Sequence, residues 1–131
     1  MEKAKDKWIE IIAKLTELTQ DNVLKWRITE VPYALKGFAD VRIDAVYFSI
    51  YKGNHLRIYE KKKKETIMVN FSLETLWETS TVLDLVKSTM AEPDGISQWA
   101  FPKVEGLNNL LNAVKFQVTG VKDFLKKLTE E

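Results

Sequence analysis

The chain contains no cysteine among its 131 residues. Disulfides, thiolate nucleophiles and Cys-ligated zinc or iron–sulfur sites are therefore excluded. It has one histidine, His55, with no serine, cysteine or carboxylate spaced to complete a recognisable relay. His55 follows Lys52-Gly53-Asn54 and is expected to be an exposed hairpin residue. One His and no Cys leave only carboxylates for a metal, a donor set that suits Mg²⁺ or Ca²⁺. The five glycines, Gly37, Gly53, Gly95, Gly106 and Gly120, are isolated. No strand, glycine-rich loop and helix follow one another, so a phosphate-cradling nucleotide site is not expected.

Charge of either sign is also nearly absent in sum. Twenty basic residues against nineteen acidic ones leave a net +1, which gives no global field to attract nucleic acid or an anionic membrane. No stretch approaches the roughly 20 apolar residues of a membrane span, and the N-terminal segment lacks the apolar core of a signal peptide. A cytoplasmic location is expected by default. With 45% hydrophobic and 30% charged residues, the composition is that of a globular chain. Its length suits one domain, residues 1–131.

The pattern of what is present defines an α+β fold. Ala4, Trp8, Ile11, Ile12, Leu15 and Leu18 recur at helical spacing and predict an amphipathic helix over 3–19, ended by Gln20-Asp21-Asn22. Leu24, Trp26 and Ile28 alternate with Lys25, Arg27 and Thr29, as in a half-buried strand. Residues 30–40, with Pro32 and Gly37, read as a connection. From Val41 to Tyr51 the alternation changes phase, which predicts a bulge near Asp44–Val46 or a strand buried on both faces. Leu56 and Ile58 mark a third strand, and Ile67, Val69 and Phe71 a fourth, with Glu60–Glu65 interrupting them. These segments form an antiparallel meander of about four strands with one face against helices.

After Phe71 the period lengthens. Leu73, Leu76 and Trp77, then Val82 to Met90, predict one or two helices. Residues 91–103 read as a loop packed down by Ile96, Trp99 and Phe101. Leu107, Leu111, Val114, Val118, Val121 and Leu125 predict a C-terminal helix over 105–128 with that stripe buried, and Gly120 marks a bend or a close approach.

Leu15-Thr16-Glu17-Leu18-Thr19, then Leu24-Lys25-Trp26 and Tyr33-Ala34, together with Leu107–Ala113 and Val118–Leu125, resemble a group of small uncharacterised bacterial α+β proteins. The resemblance covers most of the chain except residues 79–103, which look like an insertion. It implies a helix–sheet–helix fold, and no activity, cofactor or catalytic residue comes with it.

Three constellations could carry function. The carboxylate pairs Asp40/Asp44 and Glu74/Glu78 are read as solvated surface residues, so no catalytic, metal or cofactor residue is assigned, and the chain leans away from enzyme. Between 52 and 64 the six cations Lys52, Arg57, Lys61, Lys62, Lys63 and Lys64 face one anion, Glu60, with Tyr51 and Tyr59 nearby. This basic hairpin could bind a nucleic-acid backbone. The simpler reading is a solvated end whose lysines keep a sheet edge from pairing. Trp99 and Phe101 form an apolar cluster that either seals one end of the core or contacts a partner. The favoured expectation is a non-catalytic interaction or accessory protein that binds another protein or forms a homodimer. A nucleic-acid-binding accessory protein is the alternative, and a carboxylate-only enzyme comes third.

Overall fold

The structure, a computed structural model, describes residues 2–29, 31, 40–89 and 92–129, without the side chains of 2–5, 87–89, 92–98, 121 and 122. Helix α1 spans Glu2–Gln20 and leads through a turn at Asn22 into β1, Trp26–Thr29. Strands β2 (Val41–Arg42), β3 (Val46–Tyr51), β4 (Asn54–Val69), β5 (Ser72–Thr89) and β6 (Glu92–Ala100) follow. Helices α2 (Leu107–Val118) and α3 (Val121–Thr129) close the order. The strands form one antiparallel sheet in the order β1-β3-β4-β5-β6, with β2 also paired to β4. The α+β class with terminal helices is as the sequence indicates, with five to six strands rather than four. The connection read over 30–40 lies outside the described residues, apart from Val31 and Asp40.

The phase change after Val41 is a bulge. Arg42 pairs with Lys62 and Val46 with Tyr59, so four steps on one strand answer three on the other. Lys52-Gly53 forms a two-residue turn with positive φ at both positions, as a type I′ hairpin requires.

Three expectations are corrected. Glu60–Glu65 does not interrupt the sheet, because β4 runs straight through the lysines, paired residue for residue with β5. Residues 72–89 are a strand, not helices. The segment holds Thr75, Thr79, Thr81, Val82 and Val86, whose branched side chains fit a pleated surface better than a helix. Residues 92–100 are also a strand rather than a loop. Strand β6 lies at the sheet edge, where Pro93 is tolerated, and its pairing with β5 is broken by two register shifts.

Helices α1 and α2 cover one face of the sheet. Ile12, Leu15, Leu107, Leu110, Leu111 and Val114 pack there on Trp26, Tyr47, Leu56, Ile58 and Leu83. The expected C-terminal helix is divided at Gly120, which has a φ of 70° and is in the left-handed region that stops a helix. Of the expected stripe, Leu107, Leu111 and Val114 are buried and Val118 is partly buried against the core, Leu125 on α3 is exposed, and the side chain of Val121 lies outside the described residues.

Candidate functional site

A groove of about 770 Å³ runs between α1 and α2, lined by Thr16, Gln20, Asn109, Asn112, Phe116 and Asp123 among others. Among the described residues of its lining, Asp123 is the one ionisable side chain, and those residues supply no acid–base pair. Glu74 and Glu78 are four residues apart on a strand, about 13 Å, rather than adjacent on a helix. Asp44 is engaged by Arg42 at 2.9 Å and by Lys62 at 3.8 Å, and the Arg42 hydrogen bond holds its carboxyl below the usual carboxylate range. Among the described residues no group of three or more His, Asp or Glu could hold a metal.

The face of the sheet opposite the helices carries a row with an ion pair at its centre. Register places Arg27, Phe48, Arg57, Asp84 and Ala100 side by side across five strands. At its centre Arg57 Nη2 donates to Asp84 Oδ2 at 2.8 Å, with the two side chains 2% and 3% exposed. The Arg57 guanidinium also lies 5.5 Å from the Tyr59 ring. Burial, followed by the negative charge of Asp84, pushes the Tyr59 phenol up to about 12. His55 is half-buried beside the Phe48 ring at 5.6 Å, rather than exposed.

The basic cluster is not brought together as one surface. Lys52 sits in the β3–β4 turn, nine residues before the run begins. Arg57 is buried against Asp84. Lys61 and Lys63 point to one face of β4, and Lys62 and Lys64 to the other, because successive strand residues alternate. The run also lies within a strand paired on both sides at Lys62 and Lys63, with β5 and β2, rather than on a bare edge.

Trp99 and Phe101 meet an internal partner. Trp8 on α1 lies 5.2 Å from Trp99 and 5.7 Å from Phe101, ring centroid to centroid, and those two rings are 5.0 Å apart. The three rings fasten α1 to the end of β6. Trp99 keeps a partly exposed edge, and Phe101 packs against the core.

The most unusual surface lies elsewhere. Strands β4 and β5 extend beyond the helical layer as a two-stranded arm. The helices reach as far as Thr81, whose hydroxyl bonds the side chain of Asn108 on α2. Beyond it, residues 63–68 and 70–79 are all exposed, and the tip at Asn70-Phe71 lies about 25 Å past Lys62. The arm carries Met68 (69% exposed), Leu73 (73%), Trp77 (49%), Ile67, Leu76 and a fully exposed Phe71. Register sorts these by face. With the helices lie Lys62/Thr79, Lys64/Trp77, Thr66/Thr75 and Met68/Leu73; away from them lie Lys63/Glu78, Glu65/Leu76, Ile67/Glu74 and Val69/Ser72. All three acidic residues of the outer arm, Glu65, Glu74 and Glu78, are on the face away from the helices.

The sequence pattern reads Ile67 and Phe71 as a strand and Leu73, Leu76 and Trp77 as a helix, and assigns neither these nor Met68 to a binding surface. The signal that could have found them is Asn70, a residue suited to the left-handed turn position, placed between two alternating runs. Comparison with family models, with curated proteins and with solved structures finds no match. Among the described residues no helix is long and apolar enough to cross a membrane.

Proposed function

We propose that the protein is a cytoplasmic, non-catalytic interaction module that engages a partner protein through the β4–β5 arm. The observation that carries this reading is Phe71. It is fully exposed, and its φ of 66° puts a bulky residue in the left-handed region. A glycine there would remove both the exposed ring and the strain. Strain and apolar exposure at one tip are the marks of a surface shaped for contact rather than for the stability of the free chain. Met68, Leu73 and Trp77 continue that surface along the arm, and aromatic side chains are the usual anchors of protein interfaces.

The test is a photo-crosslinking amino acid placed at Phe71 in the intact protein within its native cell, with the same probe at exposed Lys14 as control. A protein adduct specific to the tip is the expected result. Equal adducts at both positions, or none at the tip, would overturn the reading.

A further inference from the structure

We infer that the arm's partner is the arm of a second copy of this chain, the two laid face to face about a two-fold axis through the Thr66/Thr75 pair. The inference rests on the binding role proposed above and names the occupant. Its first support is shape. The arm face that carries Met68, Leu73 and Trp77 is the face the helices cover further in, so the arm and the end of the helical layer form a step at Thr81 and Asn108. A helix layer is about 10 Å thick, and two packed sheets are also about 10 Å apart. A second two-stranded arm fills that step. A flat lipid surface does not reach a face recessed behind it.

The second support is self-complementarity. Outward from the root, the face reads Lys62/Thr79, Lys64/Trp77, Thr66/Thr75 and Met68/Leu73, with Phe71 at the tip. Reversing one copy about Thr66/Thr75 sets Trp77 against Leu73 of the second copy and the aliphatic stem of Lys64 against Met68 of the second copy. Both tips reach the root of the other arm. Such a contact closes on itself, as a two-fold interface must. The face has no acidic residue beyond Lys62, so its lysines have no anion to meet there. In this register, however, the two Lys64 residues are four strand positions apart, about 13 Å, which exceeds the roughly 8 Å screening length at physiological salt. Glu65, Glu74 and Glu78 stay in water on the outer face. With eight side chains from each copy plus the tips, the contact falls among small interfaces, below about 1,200 Å² in total. The dimer is therefore reversible.

The absence of native cysteine makes a direct test available. Thr75→Cys places a thiol at the proposed axis, and Glu74→Cys places one on the outer face of the same strand. Because faces about 10 Å apart exceed the roughly 7 Å between Cα atoms that a disulfide spans, a short bismaleimide is added to the purified full chain, and Thr75→Cys is expected to form a covalent dimer at least ten-fold faster than Glu74→Cys. Adding Leu73→Lys to Thr75→Cys should slow that trapping at least ten-fold while the far-ultraviolet spectrum is unchanged. Equal trapping rates for the two thiols, or trapping unaffected by Leu73→Lys, would overturn the arm pairing. A thiol in Thr75→Cys that stays untrapped and is protected from a maleimide probe only by anionic phospholipid vesicles or by another cellular protein would also overturn it. If the tip crosslinks to a different protein in the cell and Thr75→Cys does not dimerise, self-association alone falls. If the tip forms no adduct in the cell, the binding role falls with it.

Discussion

Arg57 and Asp84 stand directly opposite each other on β4 and β5 and are joined at 2.8 Å, with almost no exposure of either side chain. A pair this deep stabilises little relative to apolar packing, but removing one member strands a charge. Asp84→Ala should therefore cost about 3–5 kcal/mol. The double variant Arg57→Met, Asp84→Leu should recover most of that loss. Urea denaturation of the single and double variants measures the difference, and a double variant as weak as the single one would count against it.

A second polar joint connects the helices to the sheet. Trp26 donates its indole Nε1–H to the Thr19 hydroxyl at 3.0 Å. Gln117 on α2 accepts from the Trp26 amide at 2.7 Å and donates to the Thr19 and Leu24 carbonyls at 3.0 and 2.8 Å. Gln117→Ala should cost roughly 2–3 kcal/mol, at about 1 kcal/mol for each bond. Gln117→Glu, nearly the same shape, should cost at least as much at neutral pH, because a carboxylate cannot donate to two carbonyls. Equal stability of Gln117→Glu and the parent in thermal unfolding would refute this.

Tyr59 makes stability depend on alkaline pH. Its phenol is raised from 10.0 to about 12 in the folded chain, by burial first and by Asp84 second. The stabilisation is fully present below pH 10. It declines between pH 10 and 12, where the unfolded chain releases the proton and the folded chain keeps it, and it is lost above that window. Denaturation midpoints of the parent and Tyr59→Phe should diverge from the neutral-pH difference only above pH 10, with the parent losing more. Parallel curves across the window would contradict the assignment.

Phe71 separates stability from binding. Phe71→Gly relieves the left-handed strain and should raise stability by about 1 kcal/mol, while weakening the tip contact seen by crosslinking at Met68. A variant that loses stability would show that the ring supports the fold.

The C-terminal stripe divides at Gly120. Leu111, which is buried, should cost about 2–5 kcal/mol as Leu111→Ala, and exposed Leu125 should stay within about 0.5 kcal/mol as Leu125→Ala. Similar losses at both positions in denaturant titrations would indicate that α3 shares the core.

Helix α1, strands β1 and β3, the Lys52-Gly53 turn and the face of α2 are legible in the chain, because each depends on local periodicity or turn chemistry. Ile12 and Leu15 are buried for the same reason that their spacing suggests. The pairs Leu73/Leu76 and Thr79/Ser80 misled because two or three apolar residues at mixed spacing fit either period. The deciding factor is pairing with β4 over fourteen consecutive positions, a non-local term.

The sequence by itself determined the α+β class and the absence of thiol chemistry. It also determined the apolar stripes that meet in the core, since periodicity and residue type act over a few neighbours. Only the tertiary structure decided that Arg57 leaves the basic run for Asp84, 27 residues away. It likewise decided that Trp99 and Phe101 close on Trp8, and that Met68, Phe71, Leu73 and Trp77 remain uncovered. An apolar side chain is buried only where another element is available to cover it. The two strands of the arm extend past Thr81, where the Asn108 side chain of α2 is bonded to β5.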